Sequence, residues 1–351
     1  MKIFDGHNDI LHKIHASQDP LDTRSFLVGG SGQMDYPRAL QGGFRGGFFA
    51  VYVSDPPEIP SEEERMVLSE EGYSVPLPPP LEQGIAERSA RQMITLLEHI
   101  ESDSLGGFKI IRNYQELASC LENQMMAAVM HLEGAEPIRP DLSNLEEFYQ
   151  LGLRSLGITW SRPNAFGHGV PFRYPGHPDS GPGLTGAGKE LVKACNKLGV
   201  MIDLAHLNEK GFWDVADLSP APLVSTHSAS HSLIPKARNL TDDQLKAVAS
   251  SGGLVGVIFS VNDLAGEKRP RNDAPITSII KHITYIAELI GADHVAFGSD
   301  FDGTKIPSEL KDVSRFQKLA ALLEDAGFSQ EEREGICWKN WLRVLQTTWK
   351  S

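Results

Sequence analysis

The feature that most constrains this chain is a rhythm. Eight short, near-continuous apolar runs alternate with longer segments of helical periodicity. The runs are 2–9 (KIFDGHND), 43–53 (GFRGGFFAVYV), 125–134 (MMAAVMHLEG), 155–160 (SLGITW), 200–206 (VMIDLAH), 222–228 (PLVSTHS), 252–259 (GGLVGVIF) and 293–301 (DHVAFGSDF). Strands apolar along most of their length, rather than alternating, are what a parallel sheet covered on both faces requires. Helical patterns fall at about 83–102, 113–123, 143–151, 186–198, 208–217, 241–251, 276–290, 308–326 and 329–349. One start is explicit: Thr241 and Gln244 have the spacing of a capping box, and a Gly pair closes the segment. The pattern predicts an α/β fold, a (β/α)8 TIM barrel. At 351 residues the chain fits one such barrel with insertions, residues 1–351 as a single domain with a C-terminal helical segment from about 308 to 351. The alternative, an open doubly wound sheet, would want a Gly-rich phosphate loop after the first strand, and none is there.

Several runs stay apolar until their last residues and then turn polar. His7 and Asp9 close the first, Glu133 the third, His206 the fifth, His227 the sixth and Asp300 the eighth. In a barrel these C-terminal strand ends share one mouth, where active sites lie. On a strand, residues two apart point the same way, so His7 and Asp9 present a nitrogen and an oxygen together. Three histidines and three carboxylates crowded at one mouth need cations to compensate them. Imidazole and carboxylate suit zinc or a similar divalent ion, and six groups suit two metals sharing a bridging carboxylate better than one. Asp5 shares the alternation of His7 and Asp9 but sits two residues deeper, which predicts a supporting hydrogen bond rather than ligation. Two long insertions, 54–84 (rich in Pro and Glu) and 167–185 (rich in Gly and Pro), follow strands and should rise from the same face.

Composition enters by exclusion. A net charge of −13 argues against nucleic-acid binding. Three cysteines without a close pair argue against a disulfide framework and for a reducing compartment. No leader-like segment precedes the first strand, and no apolar run approaches the roughly 20 residues of a membrane span. A soluble, cytoplasmic protein that binds no membrane is the expectation, with a homodimer as its assembly. No His-Glu-x-x-His helix, Gly-x-Ser-x-Gly elbow or Walker loop is present.

The stretches DGHNDIL, HLEGAE, DLAH, STHSAS, ARNLTDDQL and HVAFGSDFDG, in this order, resemble the membrane (renal-type) dipeptidases, binuclear zinc peptidases among the amidohydrolase-like TIM barrels. The resemblance runs from about Ile3 into the C-terminal helices. It implies hydrolysis of L-Xaa-L-Xaa or L-Xaa-D-Xaa dipeptides through a metal-bridging hydroxide, with two divalent ions, zinc expected. His7, Asp9 and Glu133 would hold the first ion, and Glu133, His206 and His227 the second, Glu133 being shared. Asp300 matches the acid/base aspartate, and Arg238 the arginine that grips the substrate's terminal carboxylate. Two positions depart from the pattern. Trp160 stands where a carbonyl-contacting His is common, so Trp160 itself, with Asn164 or His168, becomes a candidate substrate contact. Glu136 stands where a His is usual. The Trp160 departure sustains an alternative activity, on N-acyl amino acids, cyclic amides or lactones.

Overall fold

All eight runs form strands in this computed structural model, which describes residues 1–30 and 32–349. They are β1 (Ile3–Asn8), β2 (Phe44–Tyr52), β3 (Met126–Glu133), β4 (Leu153–Gly157), β5 (Met201–Asp203), β6 (Val224–Ser228), β7 (Leu254–Val257) and β8 (Val295–Phe297). Each pairs parallel with the next in chain order. The sheet closes on itself where Asn8 bridges Phe301, with Asp9 N–H donating to Phe301 O at 2.8 Å and Asp300 N–H to His7 O at 3.0 Å. The expected (β/α)8 barrel is therefore present, with helices filling the intervals between strands. A ninth short strand, Phe108–Ile110, pairs with the first residues of β3 and was not expected. Three residues are too few to show a period.

The apolar residues divide into two cores. The larger lies between the strands and their outer helices. The smaller joins Phe4, Phe48, Val129, Met201 and Val224 to Trp341, Val344 and Leu345 of the last helix. Trp341 is fully buried, its ring 4.9 Å from that of Phe48, and its indole N–H donates to Phe297 O at 3.0 Å. Room for it comes from residues without side chains. A Cβ on Gly6 would lie 2.5 Å from the Trp341 ring and 2.3 Å from Thr226 O. A Cβ on Gly256 or on Gly298 would lie 2.0 Å from the same carbonyl oxygen.

The two insertions meet. Val67–Leu68 and Tyr73–Val75 of the first, with Phe172–Tyr174 of the second, make a three-stranded antiparallel sheet. Tyr73 lies opposite Tyr174 and Val75 opposite Phe172. Arg269, from the segment after β7, donates to Ser69 O at 2.8 Å and ties a third connection to this cover.

Two expected helices differ in detail. The segment expected at 308–326 begins late, with a 3-10 turn at Val313–Arg315 and a helix at Phe316–Asp325. Lys311 has φ +66°, which breaks any helix through it, and Asp312 then caps the turn by accepting from Ser314 N–H. The last helix runs through a π turn, Gly335–Lys339, between Gln330–Glu334 and Asn340–Thr348. The final two positions of the expected C-terminal segment, Lys350 and Ser351, lie outside the described residues.

Candidate metal centre

Four of the expected strand-end residues lie just past their strands, Asp9 by a single residue. β5 stops at Asp203 and β8 at Phe297, so His206 and Asp300 stand on the connections, each three residues on. Both have left-handed backbones, φ +62° and +60°. A β-region backbone would carry the chain on along the barrel wall; the left-handed turn redirects these two residues, a local cost often found at functional sites. Trp160 likewise lies three residues past β4.

Glu133, at the end of β3, is the hub. Its Oε2 is 3.5 Å from His7 Nε2, which is itself 3.4 Å from Asp9 Oδ2. Its Oε1 is 3.2 Å from His206 Nε2 and 3.5 Å from His227 Nε2. One carboxylate thus addresses two clusters, one with each oxygen. Asp300 joins the first cluster, close to His7 and Asp9. All six residues predicted from strand ends are brought together.

The donor set fits divalent metal. His206 Nε2 and His227 Nε2 approach to 3.1 Å, although burial pushes His206 down to about 4 and His227 well below its usual range. Two neutral rings cannot both donate across that contact. Both ring nitrogens of His7 and Oδ1 of Asp9 are buried without a hydrogen-bond partner among the described residues. Neutral imidazoles and ionised carboxylates are the ligand forms that divalent ions bind. Burial alone would raise Glu133, but the neighbouring His7, and then His206 and His227, hold it well below the carboxylate range. Asp300 goes the other way: burial first, then the neighbouring Asp9 charge, raises it well above the usual value.

The cluster floors a cavity of about 290 Å³. Arg238, Trp160, Tyr52, Lys236 and Phe172 are among the residues that line it, and the cover contributes Tyr73 and Val75. Arg238 donates to Ser228 Oγ at 2.8 Å and His227 O at 2.6 Å, which fixes its guanidinium beside the cluster. Trp160 packs 5.8 Å from the His206 ring and 5.7 Å from Phe172.

Asn164 departs from expectation. Its Nδ2 donates to Ile158 O at 2.8 Å, and its Oδ1 accepts from Phe166 and Gly167 N–H. The amide is spent on its own loop and on Glu136, and neither Asn164 nor His168 lines the cavity. Glu136 lies 4.0 Å from Arg162, a fully buried cation that also meets Asp55 at 3.3 Å and sits 5.2 Å from the Trp160 ring. The acidic residue at 136 therefore compensates a charge behind Trp160. Nothing in SRPNAFG singled out Arg162, because its partners come from other strands. Asp5 does as expected: its carboxylate accepts from Ser299 N–H at 2.8 Å and Ser299 Oγ–H at 2.6 Å, bracing the chain just before Asp300.

A parallel eight-stranded barrel with histidines and carboxylates gathered at the C-terminal ends of its strands defines a metal-dependent hydrolase of the TIM-barrel class. The family follows from comparison with known proteins. The model of the membrane dipeptidase family (peptidase family M19) matches residues 1–350, and the chain belongs to that family. A solved metallopeptidase of family M19, dipeptidase AC, is 42% identical with a TM-score of 0.94, covering 100% of this chain and 99% of that one. A metallopeptidase from Rhodobacter sphaeroides, solved with a phosphinate mimic of the dipeptide L-Ala-D-Ala, is also 42% identical with a TM-score of 0.94, covering 99% of each chain. Dipeptidase ataJ of Aspergillus terreus is 31% identical over 98% of this chain and 84% of its own length. The protein is thus a metallo-dipeptidase by family, and the alternative amidohydrolase activity is not favoured.

Proposed function

We propose that the protein hydrolyses dipeptides, including those with a D-residue at the C-terminal position, on a centre of two divalent ions, zinc by donor chemistry. The observation that carries this is Glu133 facing His7 and Asp9 with one oxygen and His206 and His227 with the other. His7, Asp9 and Glu133 would hold the first ion, and Glu133, His206 and His227 the second. Bound there, such ions would lower the pKa of a water toward neutrality and polarise the scissile carbonyl. The side chains supply the rest. Asp300, raised by burial and by Asp9, is placed to take up a proton and pass it to the leaving amine. Arg238, fixed by Ser228 and His227 O, offers its remaining N–H groups to the substrate's terminal carboxylate. Trp160 presents a neutral indole at the cavity wall, able to donate one hydrogen bond. The cover over the cavity limits substrate length. Acceptance of the D-residue is supported by the L-Ala-D-Ala mimic bound by the Rhodobacter sphaeroides relative.

The reading includes a soluble, cytoplasmic homodimer. Three buried, unpaired cysteines suit a reducing compartment, and among the described residues no helix is long and apolar enough to cross a membrane. Sedimentation velocity checks the dimer. The test of function is a panel of L,L and L,D dipeptides, with N-acetyl amino acids alongside, on zinc-loaded protein. Cleavage of dipeptides of both series is expected. Cleavage of the N-acetyl amino acids in preference to every dipeptide would overturn the reading.

A further inference from the structure

The polar groups beneath the centre are connected in a definite direction. Asp203, at the end of β5, is buried with 1% exposure. Its Oδ1 accepts two backbone donors, Thr226 N–H at 2.8 Å and Ala205 N–H at 3.0 Å. Its Oδ2 lies 2.7 Å from Thr226 Oγ1, and that hydroxyl lies 2.8 Å from His227 Nδ1. The hydroxyl donates to that carboxylate oxygen, so the single hydroxyl proton of Thr226 belongs to Asp203. The Thr226 oxygen is then left to accept, and His227 must donate to it from Nδ1. The lone pair of His227 falls on Nε2, the atom that faces Glu133 and His206.

We infer that Asp203 and Thr226 form a positioning relay that sets the tautomer of His227, leaving Nε2 bare for metal before any metal arrives. The inference rests on the reading of the site as a metal centre and deepens it. His206 has no such relay. Its Nδ1 lies 2.9 Å from Ser161 Oγ, and among the described residues no carboxylate is bonded to that hydroxyl to orient its proton. Ser161 can serve either tautomer. Of the two histidines on Glu133 Oε1, one is fixed from beneath and the other adapts.

The geometry makes Asp203→Asn a directed test. The two backbone N–H groups at Oδ1 demand an oxygen there, so the new amide must place its nitrogen at the Oδ2 position. That nitrogen donates to Thr226 Oγ1, whose proton swings to His227 Nδ1. The ring then carries its own proton on Nε2, toward Glu133, with almost no change in shape. The analogous substitution of a buried aspartate behind a histidine forces the wrong tautomer in serine proteases.

The measurement is a long-range proton–nitrogen correlation on metal-free protein carrying isotope-labelled histidine, with zinc affinity from competition against a chelator. Wild type and Thr226→Ser should show His227 protonated on Nδ1. Asp203→Asn should show it protonated on Nε2 and bind zinc about 10- to 100-fold more weakly. A ring still protonated on Nδ1 in Asp203→Asn, or zinc affinity within about twofold of wild type, would overturn the relay. Should that variant not fold, Thr226→Val against Thr226→Ser carries the same test, since Val removes the acceptor and Ser keeps it. A purely structural role would lower stability without moving the ring proton. A wild-type protein that binds no zinc would defeat the reading of the centre instead, and the tautomer is read without metal.

Discussion

Asp300 and Arg238 are assigned different roles in the proposed reaction, so their variants should fail differently. Asp300→Asn keeps an uncharged group of the same shape beside Asp9 but cannot take a proton. We expect both ions to be retained and kcat to fall by about 10²–10⁴; steady-state kinetics with metal analysis on the same sample checks this. Arg238→Ala should raise KM for dipeptides and leave C-terminally amidated analogues less affected, because only the carboxylate is lost as a partner. Equal losses on both substrates would remove the carboxylate role. At this scale the sequence was legible where chemistry and position coincide. His7, Asp9, Glu133, His206, His227 and Asp300 are polar at the ends of apolar runs, and the structure gathers all six. It was not legible where a role is made by distant partners. Arg162, Thr226 and Asp203 read as ordinary residues until the fold gathers the ends of β2, β3 and β4 and pairs β5 with β6. Asn164 erred the opposite way, a polar residue near the site whose amide is consumed by its own turn and by Glu136.

Elements show the same division. Every barrel strand was visible, because an apolar run bounded by turns is a local signal. The cover was visible only as two Pro-rich insertions, since Tyr73 pairs with Tyr174 and each half needs the other to be a sheet. The helix Thr277–Ile290 carries a further consequence at its buried His282. This ring accepts from Ser230 N–H at 3.1 Å through Nδ1 and donates to Leu264 O at 3.2 Å through Nε2, so it braces the segments after β6 and β7. Burial lowers it from 6.5 to about 4. The neutral ring is therefore favoured in the folded state, and its stabilisation is complete above about pH 6.5 and lost as pH falls toward 4. Between pH 7 and pH 4.5 this one group should cost roughly 2–3 kcal/mol. Thermal unfolding of wild type against His282→Gln across that range isolates it: the variant should be less stable at pH 7 and show a shallower acid decline.

For the whole molecule, the barrel is held from above and below. Above, carboxylates and imidazoles are buried together, and bound cations would compensate them. Removal of metal with a chelator should lower Tm, by the equivalent of about 3–4 kcal/mol if free metal stood at a few hundred times its Kd, with recovery on adding zinc. An unchanged Tm would show that the centre folds without its ions. Below, Trp341 closes the barrel interior. Trp341→Ala should cost about 3–5 kcal/mol and show as a lowered denaturation midpoint.

Gly6, Gly256 and Gly298 crowd the carbonyl of Thr226 from three strands, and Thr226 holds His227. Any methyl added at these positions would have to displace that carbonyl, and the imidazole above it would move as well. The position of that carbonyl thus depends in part on residues that contribute no functional group. Laboratory selection for a changed metal or substrate preference that randomises only the ligands would pass over them. A library that includes these three positions would reach settings of the cage that no ligand substitution offers.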